Sequence, residues 1–255
     1  LKKIIKSPII NYIDIVSPIK THAGVLINFL KSDKNILIEK PLLMSTKEER
    51  IISKHIKKNN KKIIVSYPYL FSQTLNLARK QLKNKQFGAL KYIEISLQQC
   101  GRFLEYNVYE LLGPHGISII SLFENIEKID FEKKEIIKFN KKCETSIILC
   151  KKNNKIFGII NLSINYASNK NIKIIKIFCS RGTFVCDLND PGYTFRSFLY
   201  DRSKKISDIK EYSKKYFNEK DNIKYVILNF LNDNKNLNKN FILTKKINQF
   251  INNAS

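Results

Sequence analysis

Residues 36–41, Ile-Leu-Ile-Glu-Lys-Pro, decide the fold of this chain. The mainly apolar run at 35–38 is typical of a strand buried in a parallel sheet. Ligands of open α/β sheets bind just beyond the carboxyl ends of such strands. Glu39 and Lys40 are therefore predicted to lie at a ligand-binding edge, where Pro41 stiffens the exit turn by fixing φ. Taken alone, the same pair also fits a solvated loop, so the flanking sequence decides between the two.

The flanking sequence alternates between strand and helix patterns. The predicted elements are strands at 12–16 and 61–66 and helices at 23–30 and 45–58. Ser45 and Glu48 form a capping-box pattern, which marks the start of the second helix. Strand-helix alternation indicates a parallel sheet with crossover helices. We therefore predict an α/β domain over residues 1–67.

The pattern changes after residue 67, where strands follow one another directly. The predicted strands are 92–98, 146–150, 156–165, 172–179 and 182–188, and the predicted helices are 72–83, 110–123, 221–231 and 243–251. Successive strands with polar turns are typical of an α+β domain. We predict a second domain over residues 68–255, with a mostly antiparallel open sheet and helices on one face.

The charge of the chain, +24, raises the question of nucleic-acid binding. Six of the 46 basic residues are arginine, the residue type that best contacts phosphates and base edges. The lysines are spread along the whole chain, and no nucleic-acid-binding motif is present. We therefore expect no nucleic-acid partner.

The cysteine spacing and the hydropathy bear on metal binding and on membrane insertion. The five cysteines show no C-x-x-C spacing, and Asp, His and Cys do not cluster, so we expect free thiols and no metal site. No apolar run approaches the roughly 18 residues of a membrane span, and no signal peptide opens the chain. We expect a soluble, cytoplasmic protein without a membrane partner. Because the chain begins with Leu1 and not Met, we also expect it to be a fragment.

Two further groups of residues could carry chemistry. Ser17 and Pro18 end the first strand, and His22 follows at a helix start, where backbone amides can bind phosphate. The structural alternative is an ordinary helix cap with a surface histidine. His115 follows a tight Gly-Pro turn and begins an apolar helix. Its side chain could be a general base, because an unperturbed imidazole titrates near neutral pH, or it could be a structural histidine.

Taken together, these motifs resemble the Gfo/Idh/MocA family of NAD(P)-dependent oxidoreductases. The matching segments are residues 12–22 with the family's T-P-x-x-x-H turn (Ser17 replacing Thr), 36–41 with E-K-P, 113–115 with D-x-G-x-H, and 175–187 with G-x-x-G-x-x-x-x-D (Cys179 replacing the first Gly). The resemblance covers nearly all 255 residues in matching order. It implies hydride transfer between NAD or NADP and a hydroxyl of a sugar, polyol or nucleotide sugar.

The resemblance also implies roles for individual residues. Lys40 would hydrogen-bond the reacting hydroxyl, and His115 would be the acid/base. The cofactor-binding residues would be Ser17, Pro18, His22, Glu39, Lys40 and Pro41. Arg102 and Glu110 would be weaker candidates for substrate contacts. The C-terminal domain would bind substrate and pair with further copies, giving a homodimer or a homotetramer.

The chain departs from the family pattern at several positions. Its eight glycines include no G-x-G, so the first βαβ unit with its Gly-rich turn is missing, and residues 1–67 would be the C-terminal part of a Rossmann domain. Leu111 replaces the aspartate that lies four residues before the histidine, and Gly116 replaces a following acid. The alternative is therefore a non-catalytic relative or a gene fragment that keeps its C-terminal sheet for binding or assembly.

Overall fold

The computed structural model describes the chain except residues 59–61, 102–104, 140, 191–192, 202, 204, 214–221, 233–236 and 254–255. The chain forms two compact units. The first consists of Leu1–Pro68 and Ile223–Ser255, and the second is Tyr69–Asn222. The first division lies one residue beyond the predicted one at 67. The C-terminal segment differs from the prediction, because we expected it in the second domain.

The first unit contains a three-stranded parallel sheet with the order β1-β2-β3. Its strands are β1 (Tyr12–Ile15), β2 (Asn35–Glu39) and β3 (Ile63–Ser66); its helices are α1 (Lys2–Lys6), α2 (His22–Phe29), α3 (Thr46–Lys58), α7 (Asn222–Asn232, in this unit from Ile223) and α8 (Leu237–Asn252). The predicted Rossmann-type alternation is confirmed.

The strand β2 is the centre of this sheet, and its sequence explains why. Ile36, Leu37 and Ile38 are all at most 5% exposed, as expected for a strand covered on both faces. The capping box before α3 also forms as predicted. The Ser45 backbone N–H donates to Glu48 Oε2 at 2.8 Å, and the Glu48 N–H is 3.3 Å from Ser45 Oγ.

The helix α8 binds the first unit through asparagine side chains. Asn240 pairs with the backbone of Val65 as a neighbouring strand would: its Oδ1 accepts from the Val65 N–H and its Nδ2 donates to the Val65 carbonyl, both at 2.9 Å. One turn later, Thr244 Oγ1 accepts from the Tyr67 hydroxyl at 3.1 Å. These contacts with β3 and with Tyr67, which follows it, place the C-terminal segment in the first unit, and nothing in the local sequence of α8 shows them.

The second unit contains an eight-stranded sheet with the order β11-β10-β9-β8-β4-β7-β6-β5, in which only β4 and β7 pair in parallel among the pairs described. Its strands are β4 (Leu90–Gln98), β5 (Asp130–Phe139), β6 (Lys142–Lys152), β7 (Lys155–Ser163), β8 (Ile172–Cys179), β9 (Gly182–Asp187), β10 (Tyr193–Tyr200) and β11 (Ile206–Ser213); its helices are α4 (Gln73–Gln81), α5 (Val108–Leu111) and α6 (Gly113–Phe123). The predicted mostly antiparallel sheet is confirmed.

The two faces of this sheet differ in burial. In β4, Ile93, Ile95 and Leu97 are at most 3% exposed, whereas the residues between them are half-buried. The helices α4 and α6 pack on strands of this sheet. The half-buried residues of the other face include Tyr92 and Phe178, whose ring centroids lie 5.7 Å apart. We call this second surface the open face of the sheet.

Two predictions of secondary structure in the second unit were wrong. Three strands were missed, β5, β10 and β11. Two of these are the edge strands of the sheet, where polar and charged residues weaken the alternating pattern that identifies a strand. The single helix predicted at 110–123 is instead two helices, α5 and α6, that meet at Leu112. Pro114 lacks the backbone N–H that a continuous helix would pair with the carbonyl of Glu110.

The pairing of Asn240 predicts a large stability effect. In Asn240→Leu, the N–H and the C=O of Val65 lose their partner, which should lower the free energy of unfolding by about 1–3 kcal/mol. Asn238→Leu is the matched control, because Asn238 is exposed on the same helix. Urea unfolding of the three proteins measures the difference. Equal stability of the two variants would contradict this docking of α8.

Candidate active site

The carboxyl edge of the three-stranded sheet brings three strand ends together. Ile15 pairs with Ile38, and Ile38 pairs with Val65. The residues two positions further along are Ser17, Lys40 and Tyr67, so these follow the three strands at one edge. This is where open α/β sheets bind their ligands.

The turn after β2 holds the lysine in an unusual setting. Burial lowers the pKa of Lys40 to about 8, although the neighbouring Glu39 carboxylate acts in the opposite direction. The Lys40 backbone N–H lies 3.3 Å from Glu39 Oε2, and the peptide bond between Lys40 and Pro41 is cis. An amine with a pKa near neutral can exchange a proton or a strong hydrogen bond with a substrate hydroxyl at working pH.

The turn after β1 is held by the side-chain hydroxyl groups of Ser17 and Thr21. Thr21 Oγ1 lies 2.7 Å from Ser17 Oγ and 2.8 Å from the Pro18 carbonyl oxygen, so its hydroxyl closes the turn. Ser17 is half-buried and Pro18 is exposed. Both predicted cofactor-binding residues of this turn are therefore accessible at the edge of the sheet.

His22 contacts the backbone of both turns, the one after β1 and the one after β2. It is 1% exposed, with Nδ1 at 2.9 Å from the Pro41 carbonyl oxygen and Nε2 at 2.7 Å from the Ser17 carbonyl oxygen. Both partners are acceptors, and the nitrogen that carries the ring proton is the donor. The histidine was predicted to line the cofactor. The structure places it in a supporting position, where it holds the backbone of the turns that carry the other candidates.

His115 lies in the second unit, at the third position of α6. It is half-buried, and the ring of Tyr69 meets it edge-on at a centroid distance of 5.0 Å. Tyr69 carries no local signal that would have identified it in the sequence. A ring neighbour of this kind fixes the orientation of the imidazole, which a general base needs.

The packing around His115 explains one departure from the family pattern, the glycine at position 116. A Cβ added to Gly116 would lie 2.6 Å from Ile160 Cγ2, so this position packs against the sheet and has no room for an acid. Glu110, a predicted substrate residue, forms the capping box of α5, accepting at Oε2 from the Asn107 N–H at 2.8 Å. Arg102, the other substrate candidate, lies outside the described residues.

A polar cluster that the sequence did not reveal lies beside α5. Ser146 Oγ donates to the Tyr109 hydroxyl at 2.9 Å, and Lys133 Nζ lies 4.5 Å from the centroid of the Tyr109 ring. Burial lowers the pKa of Lys133 to about 8, while the nearby Glu135 carboxylate raises it. Tyr109 is 3% exposed, so the cluster ties α5 to β6 and is closed to a substrate at the tyrosine.

Among the described residues, no group of His, Cys, Asp and Glu could hold a metal ion. No helix in the described part of the chain is long and apolar enough to cross a membrane.

Residues 1–67 match the family model GFO_IDH_MocA, described as an oxidoreductase family with an NAD-binding Rossmann fold. This segment is similar to the Gfo/Idh/MocA family. The resemblance found in the E-K-P and T-P-x-x-x-H motifs is therefore confirmed for this segment. No curated protein sequence is significantly similar to the chain.

Solved structures of dehydrogenases share the fold over both units. A levoglucosan dehydrogenase in complex with NADH and levoglucosan is 15% identical, with a TM-score of 0.71 over 86% of this chain and 65% of its own. An inositol dehydrogenase homolog from Azotobacter vinelandii in complex with NAD+ is 13% identical, with a TM-score of 0.70 over 85% and 61%. An oxidoreductase from Sinorhizobium meliloti is 15% identical, with a TM-score of 0.66 over 84% of this chain and 60% of its own.

At sequence identities of 13 to 15%, the similarity to these structures establishes the fold of the chain alone. The chain spans 60 to 65% of the length of these three structures.

The setting of Lys40 predicts a pH-dependent stability. Below about pH 8 the amine is charged in both states, and the native state bears the cost of its burial. Between about pH 8 and its ordinary 10.5, the unfolded state binds the extra proton, so the stability of the native protein rises with pH.

Lys40→Met should therefore be more stable than the wild type near pH 7, by about 1–3 kcal/mol, and this advantage should shrink above pH 8. Thermal unfolding at several pH values measures the difference. Lys245→Met is a control from the same unit, because Lys245 forms an ordinary ion pair with Glu49 at 3.0 Å. An advantage of Lys40→Met that is constant with pH would refute the lowered pKa.

Proposed function

We propose that this protein transfers a hydride between NAD(P) and the hydroxyl-bearing carbon of a sugar, polyol or nucleotide sugar. The observation that carries the proposal is the position of Lys40, an amine with a pKa of about 8 just beyond the carboxyl end of the central strand of a parallel sheet. The match of residues 1–67 to the family model with an NAD-binding Rossmann fold supports the choice of cofactor.

The residues at this edge fit one end of a dinucleotide. The exposed Pro18, the half-buried Ser17 and the turn at 39–41 offer hydroxyl, backbone and charged groups on neighbouring strand ends. We assign cofactor contacts to Ser17, Pro18, Glu39, Lys40 and Pro41, with His22 as their support. The 255 residues contain no G-x-G turn, so a pyrophosphate cradle of that type is not among them. When bound, the nicotinamide supplies the carbon that accepts or gives the hydride.

The two candidate catalytic groups have complementary chemistry. Lys40 would donate a hydrogen bond to the reacting hydroxyl oxygen and stabilise the negative charge that develops on it. His115 would take the hydroxyl proton during oxidation and return it during reduction. Its ring is held edge-on by Tyr69.

The substrate class rests on the solved structures with the same fold. The levoglucosan dehydrogenase was solved with levoglucosan or L-sorbose, and the inositol dehydrogenase homolog with myo-inositol. These ligands are carbohydrates or polyols. We extend this class, and not any one compound, to the present chain.

The surroundings of His115 favour a second candidate, a non-catalytic relative. A general base of this kind works best with an acidic partner that orients it. Leu111 is apolar, and Gly116 is packed against Ile160. If no oxidoreductase activity is found, the fold would serve binding or assembly, and His115 would be a structural residue.

Activity measurements decide between the two. Purified protein is assayed with NAD+ and NADP+ against a panel of polyols and sugars, and NAD(P)H formation is followed by absorbance. We expect turnover, reduced by about 10²–10⁴-fold in Lys40→Met and in His115→Ala because each loses an acid/base or orienting group. His55→Ala is the control for the loss of an imidazole. Wild-type turnover in either catalytic variant would refute its role, and turnover in none of the proteins would favour the non-catalytic candidate.

We further propose that the open face of the eight-stranded sheet pairs with a second copy of the chain. This face carries half-buried apolar residues on neighbouring strands, including Phe178, Val185 and Phe198. Ion pairs such as Lys176–Glu94, at 3.2 Å, neutralise charges between them. A surface that carries both apolar residues and neutralised charges can pair with its own copy across a two-fold axis.

Ile174 offers a test of this surface. It lies between Ser96 and Asp187 on neighbouring strands, so a lysine there has an acidic neighbour within the monomer. Ile174→Lys should keep the fold and convert an oligomer to a monomer, because two sets of introduced charges would meet in the interface. Light scattering measures the mass, and Ile9→Lys is the control at a residue that is 86% exposed. A wild-type monomer, or an unchanged oligomer in Ile174→Lys, would contradict the proposal.

A further inference from the structure

The segment at 40–44, which carries Lys40, has neither helix nor strand structure. It is nevertheless well buried, since Leu42 and Met44 are each 2% exposed. Buried backbone outside regular structure must find other hydrogen-bond partners. Side chains from two distant parts of the first unit supply them.

At the start of the segment, the carbonyl oxygen of Pro41 lies 2.9 Å from His22 Nδ1, which donates to it in the tautomer that carries the proton there. At its end, the backbone of Met44 is bound by Asn248 of α8. Asn248 Oδ1 accepts from the Met44 N–H at 2.8 Å, and Asn248 Nδ2 donates to the Met44 carbonyl at 3.0 Å. The segment is thus held on both sides of Leu42.

Asn248 makes a buried contact with Met44 through its whole side-chain amide. The side chain is 3% exposed, and both its polar atoms are used by one backbone residue. Asn252, one turn later, also donates to the Met44 carbonyl at 3.0 Å, and it donates to Asn248 Oδ1 at 3.2 Å. A side-chain amide carries a donor and an acceptor side by side, which matches the C=O and N–H of one backbone residue.

We propose that Asn248 is a positioning residue of the Lys40 site: it fixes the backbone of Met44, and so keeps the segment after β2 in the conformation in which the Lys40 side chain is half-buried. The catalytic consequence of this role rests on the proposed function. The structural consequence does not, because it concerns the environment of the amine whether or not a hydride is transferred.

The physical reason for this role is the free-energy cost of a buried backbone group without a hydrogen-bond partner. Without Asn248, the buried N–H of Met44 has lost its partner, and the segment gains free energy by moving toward water. Lys40 lies four residues upstream on the same short segment, so it moves with it. Greater hydration favours the charged amine and raises its pKa toward the ordinary value.

The chain offers a matched control in Asn240, which makes the same two-bond contact from the same helix to Val65. Asn248→Leu and Asn240→Leu therefore remove the same number of hydrogen bonds between α8 and the backbone of a single residue. Only the first should affect Lys40. We would titrate the Lys40 amine by its reaction with a limiting acylating reagent across pH 6–11, read by mass spectrometry, and measure amide hydrogen exchange of residues 40–44.

In Asn248→Leu we expect the titration midpoint of Lys40 to rise by about one unit and exchange at 40–44 to quicken at least tenfold, while Asn240→Leu keeps both wild-type values. An unchanged midpoint in Asn248→Leu, or an equal shift in Asn240→Leu, overturns the proposal. If either leucine variant fails to fold, judged by circular dichroism, the pair Asn248→Ala and Asn240→Ala decides by the same comparison, since alanine favours the helix.

Neither readout uses a cofactor or a substrate. A protein without oxidoreductase activity whose Lys40 midpoint still depends on Asn248 would refute the proposed function and support this inference. In an active protein, Asn248→Leu should also shift the pH profile of kcat by the same amount as the midpoint of Lys40. A stability defect alone would leave that profile in place.

Discussion

The backbone hydrogen bonds of β2 are the constraint on which the first unit depends. A strand with Ile36, Leu37 and Ile38 buried on both faces has no access to water, so its N–H and C=O groups must be paired by β1 on one side and β3 on the other. This pairing sets the register. The register in turn places Ser17, Lys40 and Tyr67, which follow the three strands, at one edge of the sheet.

The same requirement explains the unusual use of asparagine. Asn240 and Asn248 each bind one backbone residue through both polar atoms of the amide, and so act as substitutes for a neighbouring strand. Each contact satisfies groups that would otherwise be buried and unpaired. The C-terminal helix is therefore part of the first unit, although 175 positions separate Asn240 from the strand residue it binds.

The two candidate catalytic residues are supported differently. Lys40 is held through its backbone neighbours, with His22 on Pro41 and Asn248 on Met44. His115 stands on a helix that packs closely on the sheet, because Gly116 lets it approach Ile160. In the first case the support tunes the solvation of an amine. In the second it fixes a ring, and it leaves no space for the acid that family members carry there.

The sequence by itself determined the strand-helix alternation of residues 1–67, the sheet-rich character of the second domain and the candidates Lys40 and His115, because these depend on local periodicity and short motifs. It did not reveal the edge strands, the break at Leu112, or the partners Tyr69 and Asn248. The edge strands carry charges that hide the alternation. The contacts of Asn248 with Met44 join residues 204 positions apart, and local patterns carry no information about such pairs. Only the tertiary structure decided that His22 supports the turns and that α8 holds the segment of Lys40, because buried backbone groups take whichever partner the packed chain brings to them.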